Sequence, residues 1–338
     1  MNKVILQGQL EFNGLRSYEM AFDLFINRAE LIYKNDVFLK VEDVFKPNLL
    51  LLRVARIVLE TSFSRWKNTI SLLNQIAPYA IAGKIEGWLL SEGELLEYAF
   101  VEPQSDKIAV RSFIKGKELS EVKGKEEEAH KALSKAIGKH EAHSHAYERR
   151  AYVNLKLGNT EDAKYDFDKS IRINPENADA YFGRGALRLL EKDYEGAIAD
   201  FESCCKFAIA WQSVYWMSRR KKAESHIRLK QFEKAEFDLR YLTSRDFSDD
   251  DPNFSWIRWS HFQYGKVLAK LERPEEAVKQ FDLAIKLPSK GRVPDNSILF
   301  TRGDVKQKAG FSGFKADFTA AADMGHKTAQ NRLNKKSS

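Results

Sequence analysis

Hydrophobic and polar positions follow one rhythm up to about residue 118 and another after it. In the stretch VILQGQLEF, Val4, Leu6, Gly8, Leu10 and Phe12 face one way and Gln7, Gln9 and Glu11 the other, the period of two that predicts a half-buried strand. Ser17 is a candidate N-cap ahead of Tyr18, Ala21, Phe22, Phe25, Ala29 and Ile32, one apolar stripe at helical spacing. Strands are predicted at residues 38–45 and 51–59, and Trp66, Ile70, Leu73 and Ala77 predict a helix over 64–80. KIEGWLLSEG, LLEYAFVEP and IAVRSFIKG alternate and predict up to three more strands. The order strand, helix, strand, strand, helix, strand is that of a split βαβ, ferredoxin-like arrangement, so residues 1–118 are expected to form a small α+β domain.

From residue 119 to 338 the period becomes helical. Tyr165, Phe167, Ile171 and Ile173, then Tyr194, Ala197, Ile198 and Phe201, lie on helical stripes, with Asn159, Asp193 and Pro274 marking turns. The segment is also self-similar: Tyr147 matches Tyr181, Ala163 matches Ala197 and Phe167 matches Phe201 at an offset of 34 residues. Ala129 stands 34 residues before Ala163, and the second-helix pattern returns at Ala235 and Ala277 after 38 and 42 residues, which places the extra residues in loops. A last copy repeats Arg184-Gly185 at Arg302-Gly303 and Ala199–Phe201 at Ala316–Phe318. The copies bound a half-repeat at 124–140 and repeats at about 144–177, 178–211, 215–248, 256–290 and 295–326. One helical hairpin cannot bury its own stripe, so such units stack and leave a curved inner wall.

Small residues at Ala163, Gly185 and Ala197, an aromatic four residues after each alanine, and Pro175 closing a unit make residues 124–330 resemble the tetratricopeptide repeat family. The resemblance implies an all-α superhelical array whose groove is lined by the inner face of each first helix. The matching residues are Glu148, Tyr152, Phe182, Leu189, Met217, Arg220, Glu224, Trp259, Phe262 and Lys266. It also implies a protein or peptide as partner. Chaperone-binding members clamp a terminal carboxylate with Lys and Asn, and Glu148 and Tyr152 at the matching places disfavour that ligand. Trp256, Trp259 and Phe262 have the alternative of packing between units. HKTAQNRLNKKSS reads as a polar capping helix followed by a frayed tail.

Charge alters this picture in one respect. Acidic and basic residues cancel over 1–118, so the whole formal charge of +7 falls on the repeats, most simply as solvated surface. The run Arg219–Lys222 fans around its helix, so one or two of its charges can face the groove. Cys204 and Cys205 are adjacent, a poor geometry for a disulfide, and suit a reducing compartment. The start lacks a signal-like apolar run, and Leu49–Leu59 is too short and too basic to span a bilayer, so a cytoplasmic protein is expected.

Candidate chemistry is sparse. No phosphate loop, nucleophile elbow, HExxH helix or CxxC pair occurs, so no enzyme, metal or cofactor is expected. His140, His143 and His145 are close enough to suggest zinc, but without a nearby Cys they read as solvated or capping histidines; Glu126–Glu128 reads as the acidic first turn of a helix. Gln7, Gln9 and Glu11 on the first strand, and no aromatic in strand 51–59, give no base-stacking platform, which disfavours nucleic acid. The expected function is an intracellular adaptor that binds a peptide or helix in the groove. The alternative is an inhibitor or immunity-type protein that binds a toxin or enzyme through its N-terminal domain. Nothing in the pattern fixes an oligomeric state.

Overall fold

The computed structural model describes residues 2–289 and 292–334. The chain separates into two compact units, Met1–Asn177 and Ala178–Ser338.

The first unit begins with a five-stranded antiparallel sheet of β1 (Asn2–Glu11), β2 (Phe45–Lys46), β3 (Leu51–Thr61), β4 (Ala82–Ser91) and β5 (Glu94–Val101), in the order β2-β3-β1-β4-β5. The alternation in β1 sends Val4, Leu6 and Leu10 to the same face as Leu52, Val54, Ile85 and Leu89. Over that face lie α1 (Leu15–Asn27) and α3 (Phe63–Ile76), whose Tyr18, Ala21, Phe25, Trp66, Ile70 and Leu73 complete the core. Gly14 rather than Ser17 stands at the N-cap of α1, with the Ser17 hydroxyl donating to the Gly14 carbonyl, and Ser62 caps α3 by accepting a bond from the Arg65 amide.

Two predicted strands are corrected. Residues 38–45 form mainly a short helix, α2 (Val41–Val44), before the two-residue β2. Phe45 is drawn into a ring cluster with Phe12, Tyr18, Phe22 and Phe25, and Pro47, lacking an N–H, stops the ladder after Lys46. IAVRSFIKG is helical, within α4 (Ile108–Ser120), because Ala109, Ser112, Gly116 and Ser120 share one buried face at helical spacing while alternation holds for only a few residues. Helix α4 pairs with α5 (Glu126–Lys139), Gly116 lying so close to Leu133 that a Cβ would sit 2.6 Å from its Cγ. The expected half-repeat therefore has a partner helix. Glu126–Glu128 do form the first turn of α5. A second hairpin, α6 (Ser144–Leu157) and α7 (Thr160–Ile173), completes the unit.

Among the described residues the second unit has four hairpins, a 3-10 turn at Phe254–Trp256 and a last helix. The hairpins are α8 (Ala178–Leu190) with α9 (Tyr194–Phe207), α10 (Ser213–Arg228) with α11 (Phe232–Thr243), α12 (Ile257–Lys270) with α13 (Pro274–Lys286), and α14 (Asp295–Lys308) with α15 (Phe314–Asp323). Helix α16 (Lys327–Asn334) packs on α15 through the buried Ala329; the tail expected after it, 335–338, lies outside the described residues.

The small residues of the repeat act by close approach. A Cβ on Gly185, Gly265 or Gly303 would lie 2.8, 2.6 or 2.9 Å from the ring of Phe201, Phe281 or Phe318 on the partner helix. Gly265→Ala is therefore expected to cost about 1–3 kcal/mol through overpacking. Gly138→Ala, with nothing within 4 Å of its Cβ, is expected to be neutral or stabilising by up to about 1 kcal/mol. Urea unfolding monitored at 222 nm distinguishes them, and equal stability of the two variants would refute the contact.

Candidate protein-binding surface

Each helical hairpin after the first is tied by a polar pair between its two helices. In the first unit, Arg150 on α6 donates to both carboxylate oxygens of Asp166 on α7, at 2.8 and 2.7 Å, and Asn154 adds a third bond at 3.1 Å. In the second unit Asp200 on α9 accepts from Arg184 at 3.0 and 2.6 Å and from Arg188 at 2.9 Å. Asp238 on α11 accepts from Arg219 at 2.7 Å with Lys222 at 3.2 Å, and Asp317 on α15 accepts from Arg302 at 3.0 and 2.5 Å with Lys306 at 2.9 Å. The α12/α13 hairpin has a neutral version, His261 Nδ1 and Gln280 Oε1 at 2.8 Å. Asp166, Asp200, Asp238 and Asp317 are all buried, so each carboxylate needs these donors. The signal was present in the sequence: each of these residues directly precedes the buried Phe167, Phe201, Leu239, Phe281 or Phe318.

These ties change the reading of the basic run. Arg219 and Lys222 belong to the tie with Asp238, and Lys221 pairs with Glu224 at 3.1 Å, so these three are paired rather than simply solvated. Arg220 is buried, with its Cζ 3.6 Å above the Trp256 ring.

The histidines are likewise not solvated. His143 is buried against Phe113, at 4.5 Å between centroids, and its Nδ1 caps α6 by accepting from the Ala146 amide at 3.3 Å. His145 is buried beside it, and His140 Nε2 lies 3.1 Å from the buried Glu11 carboxylate, a residue expected to face outward. Burial, then the neighbouring His145 and His140, hold His143 well below the usual imidazole range; burial, with Lys84, Arg149 and Lys117, pushes His145 down to about 3. Among the described residues no His, Cys, Asp or Glu cluster is arranged to hold a metal ion.

The ten groove residues separate by environment. In the first unit Glu148 is buried, on a helix that packs against β4, and Tyr152 makes an edge-on contact with Phe167 at 5.1 Å. In the second unit Phe182, Leu189, Met217, Glu224, Trp259 and Phe262 are half-buried and Lys266 is exposed. Phe182 rests on Phe201 at 6.0 Å and Phe262 on Phe281 at 5.9 Å, while Lys266 holds its ammonium 5.4 Å from the Phe262 ring. Trp259 and Phe262 also pack against the apolar core of α10–α14, so part of each ring is structural.

Residues 155–213 and 260–290 match family models described as tetratricopeptide repeat. The array is built of tetratricopeptide repeats. Curated relatives include anaphase-promoting complex subunit 3 of Schizosaccharomyces pombe, 25% identical over 190 residues, and the bovine (Bos taurus) Protein SGT1 homolog, 31% identical over 94 residues. These alignments cover 53% and 28% of the chain, and the chain spans only 27% and 28% of the relatives' own lengths. Among solved structures, YrrB, described as a tetratricopeptide repeat protein with an unusual peptide-binding site, superposes with a TM-score of 0.51 at 18% identity, covering 60% of this chain and 98% of YrrB. PilF of Pseudomonas aeruginosa gives 0.51 at 13% identity, covering 67% and 98%. At these identities the structural likeness concerns the fold. Among the described residues no helix is long and apolar enough to cross a membrane.

Proposed function

We propose that the chain is a protein-interaction adaptor whose second unit holds an extended peptide or a helix against the first helices of its repeats. The observation that carries this reading is the set of half-buried side chains Phe182, Met217, Trp259 and Phe262 on α8, α10 and α12. Phe182 and Phe262 are each backed by a fully buried ring of the second helix. A ring fixed on one side and open on the other loses little rotamer entropy when a partner covers it, which favours such residues as binding anchors. Arg220, Glu224 and Lys266 add charge selection beside them. The peptide-binding site described for YrrB is consistent with this use of the repeats.

The reading extends to the rest of the chain. The strand order of the N-terminal sheet supports a split βαβ, ferredoxin-like domain over residues 1–118 with β5 added at one edge. A non-enzymatic role fits the ties described above, which engage the buried Asp166, Asp200, Asp238 and Asp317 structurally. An intracellular location fits the free cysteines: burial raises both thiols, Cys205 to about 11, which leaves them inert rather than catalytic.

Simultaneous Trp259→Ala and Phe262→Ala substitution is expected to weaken partner retention in affinity capture from the native host by tenfold or more. Circular dichroism shows whether the helices persist. Retention of the same partners by a folded double variant would remove this surface from consideration.

A further inference from the structure

The two edges of the N-terminal sheet are finished differently. At one edge β2 is only two residues long and Pro47, which has no N–H to donate, ends it, so few backbone groups are offered to another strand. At the other edge β5 runs for eight residues, and among the described residues β4 is its only strand neighbour. Its sequence, ELLEYAFV, contains neither Pro nor Lys, two of the residues that guard sheet edges. One guard is present: the register slips at Leu96, which pairs with neither Leu89 nor Leu90. Beyond that bulge, residues 97–101 pair with residues 89–85 without a break, the length of an ordinary strand.

Side chains along this edge alternate. Ala99 and Val101 are buried in the core under α1 and α3, while Tyr98 and Phe100, on the opposite side of the strand, stay 47% and 43% exposed. Leu95 and the displaced Leu96 are exposed as well, so half of the strand offers large apolar side chains to solvent. The two rings are already held in place. Tyr98 lies 5.5 Å from the buried Trp88 ring and its hydroxyl donates to Glu86 at 2.8 Å, and Phe100 has the Lys117 ammonium 5.6 Å from its centroid. Such rings lose little freedom when a partner covers them. Charge then selects the kind of partner. Glu97 is engaged by Lys67 at 2.9 Å and Glu102 by Lys117 at 2.8 Å, whereas Glu92 and Glu94, exposed where the β4–β5 turn leads into the strand, have no ion-pair partner among the described residues. The strand carries two carboxylates and no cation, so a second copy of it would bring further negative charge to the edge, and a basic segment would bring the complement.

We propose that β5 is a docking edge for an extended, basic segment of another protein. The segment adds to the sheet as a sixth strand, lays apolar residues against Tyr98 and Phe100, and carries Lys or Arg toward Glu92 and Glu94. Backbone hydrogen bonds along residues 97–101 supply affinity, and the two rings and two carboxylates supply selection. This surface is separate from the first helices of the repeats and gives the N-terminal sheet a binding role of its own.

The experiment titrates the full chain into a fluorescein-labelled peptide, acetyl-KVTVTVK-amide, and follows anisotropy. Successive residues of an added strand turn their N–H groups alternately toward the edge and away from it, so N-methylation of the Val residues and of the Thr residues gives two distinct probes. The expected result is saturable binding of the parent peptide, weakened about tenfold or more by one methylated set and left nearly unchanged by the other. Tyr98→Lys, which places a cation on the edge at an exposed position, is expected to weaken binding about tenfold with the circular dichroism unchanged, and Phe100→Ala gives the same readout should that variant not fold. The acidic peptide acetyl-EVTVTVE-amide is expected to bind about tenfold more weakly than the basic one. Absence of saturable binding, equal affinity for the two methylated sets, or equal affinity for the acidic and basic peptides overturns the proposal. Dimerisation of the full chain in sedimentation velocity that Tyr98→Lys abolishes would assign the edge to a second copy and overturn it too. Unchanged peptide binding by Trp259→Ala/Phe262→Ala keeps the edge apart from the groove whatever becomes of the adaptor reading, and loss of binding in that double variant would place the probe in the groove and refute the edge.

Discussion

Asp200→Ala lowers the unfolding free energy of the second unit by about 3 kcal/mol, the lower end of the range for breaking a buried ion pair. Asp200 is 2% exposed and accepts from Arg184 and Arg188 together, so its removal takes a buried carboxylate from both guanidinium groups, while Arg188 keeps the Gly196 carbonyl at 3.2 Å. Their side chains keep 17% and 28% of their surface in water, which holds the cost below that of a fully enclosed charge. Urea unfolding read by tryptophan fluorescence reports mainly this unit, which contains Trp211, Trp216, Trp256 and Trp259. Gln280→Ala, which removes the neutral acceptor of His261, is expected to cost nearer 1 kcal/mol. Equal costs for the two substitutions would mean that charge contributes nothing special to these ties.

The second large effect is acid sensitivity of the first unit. His145 is pushed down to about 3 in the folded protein against an ordinary 6.5, and His143 is shifted in the same direction, so the unfolded chain binds protons that the folded chain refuses. Their contribution is fully present above pH 6.5 and is lost progressively as pH falls, until His145 titrates in the folded state near pH 3. For His145 the loss over that window is about 4–5 kcal/mol. Amide hydrogen exchange in β1 and β4, measured from pH 7 to 4 and corrected for intrinsic rates, follows this unit selectively. His145→Gln should flatten the dependence relative to the parent, since the carboxylates titrating in the same range are common to both. Parallel slopes would show that the histidine proton is not what acid supplies.

Recognition of the repeats from sequence succeeded because their information is local and redundant. Ala163, Ala197, Ala235 and Ala277 recur at nearly fixed offsets, each fully buried, and every copy states the same helical period over again. The first strand and the helices after it were readable for a related reason: Val4, Leu6 and Leu10 carry a pattern that only one secondary structure buries. Short segments failed where two periods fit equally. IAVRSFIKG alternates for a few residues, enough to read as a short strand, whereas its helical face shows only when the stripe is followed on to Ser120 and Leu133 of the next helix is fitted against Gly116.

The candidate surface divides along the same line. That Phe182, Met217, Arg220, Trp259 and Phe262 lie on first helices follows from counting along the repeats. Which basic side chain is left unpaired does not follow, because Arg219 and Arg220 are adjacent and chemically identical. One meets Asp238 and the other Trp256 only after residues distant in the chain have packed together. Periodicity along the chain thus determined the elements and the repeating unit, since backbone geometry is a local property. Pairing, burial and the protonation of His143 and His145 were decided by the tertiary structure, since the energy of a charge depends on neighbours that sequence spacing does not name.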